Sequence, residues 1–336
     1  MHTLDRHCPS PPGIAVRPAA LSSFALADGP LLAANEALVE AIYTSAGHPE
    51  MIGRIKQLGS ADSPFQPGDI VGVGPLAASC GVCKHCLSNL EHYCQRGPVT
   101  TSDYQTRHPN RVAHHGHAPE IVVTAPFLVR LPSHTDLAAT VPLLGAGAAA
   151  HSALEHWHVS PGQHVGVIGL GGMGHLTVKL AAARGARVTV FTTTPEKQPD
   201  AARLGAHAAI LWNDEAAFER LAGRFDLLIS TVTHAYSVVD FMALLKLDGT
   251  LINLGTQAAL QDFPGPDTPP SRRSIAVSVG ASMAETHALI AYCTAHAIKP
   301  DVEVIRSDRY ICHMNDPMRA DARYCRVIDH TCIPQY

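Results

Sequence analysis

Four cysteines are spaced for a metal site in the run SCGVCKHCLSNLEHYC (79–94). Cys80, Cys83, Cys86 and Cys94 follow the pattern C-x2-C-x2-C-x7-C, which can place four thiolates around one tetrahedral zinc ion. Four protein ligands leave no coordination position open, so a zinc held in this way positions a loop and does no chemistry. We predict one structural zinc here, with a reduced or disulfide-linked loop as the alternative.

A glycine-rich turn lies about 75 residues further on, and it is typical of dinucleotide binding. Gly169, Leu170, Gly171, Gly172, Met173 and Gly174 form G-x-G-x-x-G between a predicted strand (164–169) and a predicted helix that Gly185 ends. The first glycine allows the tight turn, the second lets the backbone approach a pyrophosphate, and the third lets the helix pack on the strand. The helix N-terminus supplies N–H donors to the phosphates. The alternative is a turn without a ligand.

The residues after the second strand of this region favour NADP(H) over NAD(H). An NAD site would place a carboxylate there to bind the ribose 2′-hydroxyl. This chain instead has Thr192, Thr193 and Thr194, with Lys197 three residues on, and these groups suit a 2′-phosphate. The alternative is a threonine-rich cap on the next helix. Val232, Gly255 and Ser278 are also predicted to contact the cofactor.

The elements that must position these residues change in character near residue 148. Before it, apolar runs predict strands at 37–43, 51–58, 69–73, 120–123 and 127–129, and the stretch from Arg96 to His117 is predicted to be a loop. After it, predicted strands at 164–169, 187–191, 208–211, 225–230, 250–254 and 275–279 alternate with helical stretches near 196–204, 215–222, 236–246 and 284–296. This alternation predicts a doubly wound parallel sheet. Strands at 302–305 and 324–328 are expected to return to the first domain.

Composition narrows the functional classes. The 336 residues carry a net charge of −4, which gives no electrostatic case for nucleic acid or an anionic membrane. No apolar run approaches the roughly 20 residues of a membrane span, and the first residues lack the pattern of a secretory signal. Clustered thiols in a chain of this length favour metal binding in a reducing cytosol over a disulfide framework, so we expect a cytoplasmic protein.

The order of the cysteine cluster, the turn and the strands resembles the zinc-dependent medium-chain alcohol dehydrogenases, specifically the cinnamyl alcohol dehydrogenase branch. The resemblance runs from about Ala37 to Asp329 and is dense in GDIVGVG (68–74), in 156–181, in FTTTPEKQPDAARLGA (191–206) and in LLKLDGTLINLG (244–255). It implies an α/β protein with a β-rich GroES-like catalytic domain (1–148 and 297–336) and a Rossmann NADP-binding domain (149–296). It also implies hydride transfer between NADP(H) and an aldehyde or alcohol.

The family's catalytic zinc has three protein ligands, and this chain does not supply them in register. The stretch TSAGHPE (44–50) can be aligned with the family's ligand motifs in two ways. As the first motif, Gly47 replaces the cysteine ligand and His48 matches the histidine after it. As the second motif, Glu50 matches the glutamate and Pro49 falls where the histidine ligand belongs. Gly145 stands at the position of the third ligand, a cysteine. We therefore expect no catalytic zinc. A rebuilt site remains the alternative, from His48, Glu50, His114, His115, His117 and His151.

These observations predict an NADPH-dependent reductase that acts on an aldehyde or an activated double bond, with His48, Glu50 and His151 as catalytic candidates. Without zinc, polarisation of the carbonyl group would fall to a protonated side chain such as His48 or His151. Loss of the ligands also allows a non-catalytic NADPH-binding scaffold or sensor, or a chain whose deletions prevent stable folding. By resemblance we expect a homodimer through the apolar edge strand at 275–279.

Overall fold

The computed structural model describes residues 32–106, 120–255, 272–309 and 324–332. The strands are β1 Glu36–Ser45, β2 Met51–Leu58, β3 Ile70–Val73, β4 Leu76–Ala78, β5 Val99–Thr100, β6 Glu120–Thr124, β7 Leu128–Arg130, β8 His164–Ile168, β9 Arg187–Thr192, β10 Ala208–Leu211, β11 Phe225–Ser230, β12 Leu245–Asn253, β13 Ser274–Val277, β14 Val302–Arg306 and β15 Cys325–Asp329. The α-helices are α1 Lys84–Leu87, α2 Thr101–Thr106, α3 Leu137–Thr140, α4 Ala146–His156, α5 Gly172–Ala183, α6 Gln198–Arg203, α7 Glu215–Leu221, α8 Val238–Leu244 and α9 Met283–Ala295.

The first sheet is mainly antiparallel and has seven strands, in the order β14-β15-β1-β2-β3-β7 with β6 paired to β1. β1 and β2 form a hairpin in which Thr44 pairs with Met51, so only residues 45–50 lie between these partners. The C-terminal strand β15 returns to this sheet and pairs with the end of β1, Ser45 opposite Val327. This register brings residues of the C-terminal segment beside the hairpin turn.

The second sheet confirms the predicted doubly wound parallel architecture. Its six strands run in the order β10-β9-β8-β11-β12-β13, and β8 pairs in parallel with both β9 and β11. The central strands β8, β9 and β11 are buried over most of their length, as expected where helices cover both faces of a parallel sheet. α9 begins at Met283 because Ser282 and Glu285 form a capping box. The carboxyl ends of all these strands lie at one edge, where ligands of such sheets bind.

Two sequence-based boundaries need correction. The loop predicted from Arg96 to His117 is wrong at its start, because Val99–Thr100 pairs with Leu76–Ala78 and Thr101–Thr106 is helical. The Thr101 hydroxyl donates to the carbonyl of Gly74 at 2.6 Å, which anchors this helix. The helix predicted at 236–246 ends at Leu244, since β12 begins at the next residue. Residues 107–117 lie outside the described part of the chain.

A polar network ties the C-terminal strands to the helices of the second sheet. Asp301, in the return between the sheets, binds Lys179 of α5 and Arg203 of α6, each at 2.5 Å. The Tyr324 hydroxyl donates to Asp200 at 2.9 Å, and the Tyr324 ring stacks on His175 with the centroids 4.9 Å apart. These contacts hold the first sheet against the start of α5, and the junction of the two sheets beside the glycine-rich turn is called the cleft below.

Among the described residues, no single helix is long and apolar enough to cross a membrane, and one bent pair, Leu137–Leu144 with Ala146–His156, meets that test by length and composition.

Candidate functional site

The four cysteines of the predicted structural zinc site, called the knuckle below, lie close together. Their Sγ atoms all lie within 4.8 Å of one another, with Cys80 and Cys86 at 3.9 Å and Cys83 and Cys86 at 3.5 Å. A tetrahedral zinc with Zn–S bonds of about 2.3 Å requires sulfurs roughly 3.8 Å apart. The short helix α1 carries Cys86, and Cys94 follows a single 3-10 turn at Glu91–Tyr93. The residues present therefore fit a structural zinc without rearrangement.

Backbone N–H groups lower the pKa of two of these cysteines and so favour their thiolate forms. The N–H groups of Cys86 and Gln95 lower the pKa of Cys83 to about 6, and the Gln95 nitrogen lies 3.5 Å from its sulfur. The N–H of Cys80 lowers the pKa of Cys94 in the same way. Since the thiolate is the form that binds zinc, these donors favour metal binding.

The glycine-rich turn has the geometry of a phosphate cradle. Gly169 has φ +92°, and a Cβ on Gly174 would lie 2.2 Å from the Gly169 carbonyl oxygen, so backbone geometry itself requires both glycines. A Cβ on Gly171 would instead meet nothing within 4 Å, so Gly171 leaves room for a ligand. No side chain caps the N-terminus of α5, and its first N–H groups face this space. Leu170 is buried beneath the turn, and Met173 is packed partly against the core.

The other predicted cofactor residues lie along the same edge of the sheet. Thr192 ends β9, and its hydroxyl accepts the N–H of Thr194 at 3.2 Å; Thr193 is exposed, and Lys197 is half-buried in the next turn. The backbone of Val232 packs so closely on Gly255 that a Cβ there would lie 1.8 Å from the Val232 oxygen. Ser278 follows β13 and donates its N–H to Asn253 at 3.1 Å. The fold therefore brings these residues together where one extended ligand could contact them.

Glu50 and Gly145 lie in contact where the hairpin turn packs on the start of α4. Glu50 is 7% exposed, and a Cβ on Gly145 would lie 1.9 Å from its Oε1 and 2.6 Å from its Cδ. The carboxylate therefore fills the space beside Gly145 where the side chain of a cysteine ligand would stand. Burial raises the pKa of Glu50, and the nearby His48 and the Ser45 hydroxyl oppose that rise. Pro49 offers no ligand atom.

The three predicted catalytic residues do not form one cluster. His48 is exposed on the hairpin turn, next to Gly47 at φ +90°, and its charge reaches Glu50. His151 lies in α4 facing α5 and α9; Arg184 contacts its Nδ1 at 3.0 Å, and burial lowers its pKa. Because Arg184 follows the far end of α5, His151 is remote from the turn at the start of that helix. The structure thus brings His48 to Glu50 and keeps His151 away. His114, His115 and His117 lie outside the described residues.

Sequence reasoning did not single out Cys325. Its Sγ lies 3.8 Å from the carbonyl oxygen of Gly172 and 3.3 Å from where a Cβ on Gly172 would be. Burial raises the pKa of Cys325 to about 12, and the charge of Glu50 adds to this rise. Cys325 therefore lies against the glycine-rich turn, near enough to Glu50 for the charge of that carboxylate to affect it. The pairing of β15 with β1 places it there, and no local motif signals that pairing.

Comparison with known proteins gives a consistent result. A sequence model described as alcohol dehydrogenase GroES-like domain matches residues 35–133, and one described as zinc-binding dehydrogenase matches residues 172–294. The chain is 38% identical over 284 residues to "NADP-dependent alcohol dehydrogenase C 1" of Mycolicibacterium smegmatis, covering 84% of this chain and 81% of that protein. It is 37% identical over 295 residues to "Aldehyde reductase YahK" of Escherichia coli, covering 86% and 83%.

Among solved structures, a cinnamyl alcohol dehydrogenase from Sorghum bicolor superposes with a TM-score of 0.82 at 28% identity, covering 90% of this chain and 92% of that one. The chain belongs to the zinc-type medium-chain dehydrogenase/reductase family. The predicted family and its combination of a GroES-like part with a Rossmann sheet are thereby confirmed.

The residues at the family's structural zinc site and those at its catalytic zinc site differ in how well they fit a metal ion in this chain. Within the described ranges, the four knuckle cysteines form the one group of His, Cys, Asp or Glu ligand atoms close enough to hold a metal ion. Among the described residues near Gly145, the possible donors are the Glu50 carboxylate, the exposed His48 imidazole and the Cys325 thiol, and their ligand atoms do not all lie within 4.8 Å of one another. A three-ligand catalytic zinc does not fit this donor set.

Proposed function

We propose that this protein is an NADPH-dependent alcohol dehydrogenase or aldehyde reductase of the cinnamyl alcohol dehydrogenase type whose catalytic centre works without zinc. It transfers hydride between the nicotinamide and an aldehyde or an activated double bond. The observation that carries the proposal is the open, uncapped glycine-rich turn beside a cleft in which Glu50 occupies the place of the ligand at Gly145. The names of the similar reductases and dehydrogenases support the reaction class.

The cofactor site supports the choice of NADPH. The uncapped N–H groups at the start of α5 would bind the pyrophosphate, since an anion there is stabilised by the helix N-terminus. Thr193, Thr194 and Lys197 would bind the 2′-phosphate, because hydroxyl and ammonium groups there offer donors and a positive charge. The bound nicotinamide supplies the hydride, and the chain's task is to orient it toward the cleft.

The knuckle would hold one structural zinc through Cys80, Cys83, Cys86 and Cys94. Zinc there would fix the loop from 80 to 94 and, through it, the rim of the first sheet. It would take no part in the reaction, since four thiolates complete its coordination.

Two measurements on the purified protein test the proposal. NADPH oxidation is followed with cinnamyl, benzyl and aliphatic aldehydes, and zinc is counted by elemental analysis. We expect turnover, its abolition by Gly171→Asp, and about one zinc per chain. About two zincs per chain would contradict the zinc-free centre, and tight NADPH binding without turnover of any aldehyde would contradict the enzyme.

The second candidate function is a non-catalytic NADPH-binding scaffold or sensor. Glycine at position 145 and proline at position 49 favour it, and Ala149 and Ala150 stand where the family resemblance expects two threonines near the nicotinamide. A cofactor-dependent change in melting temperature without turnover is its expected signature.

We also propose a cytoplasmic homodimer joined through the edge of the Rossmann sheet. β13 is the edge strand in the described sheet, and Val277 and Val279 at its end are 46% and 64% exposed. Exposed apolar residues on an unpaired edge favour pairing with a second copy. Light scattering on the wild type and on Val279→Lys tests this assembly.

A further inference from the structure

We propose that Glu50 is the proton donor of the carbonyl reduction and that His48 returns the proton to it from solvent. The inference rests on the proposed function and adds the residues that replace the metal. In the family reaction a zinc ion stabilises the negative charge that forms on the carbonyl oxygen as hydride arrives. A carboxylic acid in the same place can do this by transferring its proton to that oxygen.

The position of the carboxyl group is the first support. Its Oε1 lies 1.9 Å from the Cβ that any larger residue at 145 would carry, so it stands within the volume of the missing thiolate. Cys325 connects this point to the turn, because its sulfur contacts the Gly172 carbonyl and responds to the charge of Glu50. The acid is therefore held at the end of the hairpin turn, directly before β2, and its position follows from the pairing of β1 with β2 and β15.

The surroundings of the carboxyl group favour its protonated form. The polar and titratable groups that face it are Ser45 of β1, His48 of the hairpin turn and Cys325 of β15. No lysine or arginine among the described residues acts on it, and burial raises its pKa. A buried acid without a fixed cationic partner retains its proton closer to neutral pH and is able to donate it. The N-terminus of α4 at Gly145 opposes the effect of burial to some extent, and it stabilises the carboxylate that remains after donation.

The step balances without a further reagent. Hydride moves with its electron pair from the nicotinamide to the carbonyl carbon, the C=O π bond breaks, and the oxygen takes the proton from Glu50. One NADPH and one aldehyde become one NADP⁺ and one alcohol, and Glu50 is left as a carboxylate. His48 is exposed and near this carboxylate, so its imidazolium can reprotonate Glu50 and recover a proton from water. Each turnover therefore consumes one proton from solvent.

The experiment compares Glu50→Gln with Glu50→Asp, using Glu40→Gln as the matched control. Glu40 lies within β1 and pairs with Lys56 at 3.7 Å, away from the hairpin turn that carries Glu50. We expect Glu50→Gln to lower kcat for aldehyde reduction by about 100-fold or more. NADPH affinity should change by less than about twofold, since no contact to the turn is lost. Glu50→Asp should retain part of the activity, and Glu40→Gln all of it.

The pH profile separates a proton donor from a merely structural residue. In the wild type, kcat for reduction should fall as the pH rises through the pKa of Glu50, and this limb should be absent in Glu50→Gln. His48→Asn should lower kcat less, and added imidazole should restore it. The melting temperature of Glu50→Gln should not fall, because an amide replaces a buried acid of equal size.

The outcomes distinguish the two proposals. An active wild type whose Glu50→Gln variant keeps its kcat and pH profile overturns the role of Glu50 and leaves the proposed function standing. A wild type that binds NADPH and reduces no aldehyde overturns both.

Discussion

Replacing Gly145 with alanine tests whether the packing of Glu50 sets the activity. The added carbon would lie 1.9 Å from Oε1, whereas real Cβ contacts do not fall below 3.0 Å. The carboxylate must therefore retreat by at least about 1.1 Å into surroundings that leave it 7% exposed. Gly145 has φ −123°, so it does not use the left-handed region that favours glycine.

Two effects should follow from this displacement. Overpacking at a buried site costs about 1–3 kcal/mol of the free energy of unfolding. A misplacement of about 1 Å at a reacting group costs about 100-fold in rate, so we expect kcat for aldehyde reduction to fall by that factor. NADPH affinity should stay within about twofold, because the glycine-rich turn is untouched.

The assay is NADPH oxidation together with urea unfolding, and Gly147→Ala is the control. Its Cβ would meet Leu143 Cδ2 at 3.1 Å, in the 3-10 turn before α4, and Leu289 Cδ2 at 3.3 Å, in α9, and both are flexible apolar ends. Alanine there also gains about 1 kcal/mol of helix propensity. We expect Gly147→Ala to keep full activity. A Gly145→Ala variant with unchanged kcat and stability would refute the reasoning.

Three further predictions concern the metal, the cofactor and pH. Cys94→Ser should reduce the zinc content from about one per chain toward zero and lower the melting temperature, as elemental analysis and calorimetry would report; an unchanged zinc content would argue against the knuckle. Lys197→Glu should weaken NADPH binding about tenfold or more and leave NADH binding unchanged, measured by titration, because a charged hydrogen bond is lost and a repulsion added. Burial lowers the pKa of His175 from 6.5 to about 4, so the stability that its neutral form contributes is complete above pH 6.5 and lost as the pH falls toward 4, by up to about 3 kcal/mol. His175→Gln should flatten this acid limb in urea unfolding, and an identical limb would contradict the assignment.

The features predicted from the sequence are those encoded locally. The spacing of four cysteines within 15 residues and of three glycines within six residues places them close together whatever the rest of the chain does. The alternation of apolar strands and amphipathic helices likewise predicts the parallel sheet, because each unit must cover its own apolar face. The knuckle and the order of the six-stranded sheet follow from such short-range patterns.

The contacts in the cleft could not be predicted from local sequence patterns, because they depend on pairing between distant parts of the chain. Glu50 reaches Gly145 through the packing of a hairpin turn on the start of α4, and Cys325 arrives only through the pairing of β15 with β1. His151 shows that closeness in sequence does not place a residue in the cleft. It lies six residues after Gly145, yet its side chain faces Arg184. α4 itself was not predicted, because its alanine-rich start has no clear apolar period. The domain boundary placed at residue 148 falls within this helix and stays a prediction.

The tight hairpin between β1 and β2 has an evolutionary consequence. A point mutation could put a thiol at Gly145 or an imidazole at Pro49, but the pairing of Thr44 with Met51 leaves too short a connection to carry the two separate motifs that the family resemblance calls for. A catalytic zinc site built from those two motifs would require an insertion of backbone, an event far rarer than base substitution. Descendants of this lineage are therefore expected to refine what the carboxylate does and not to revert.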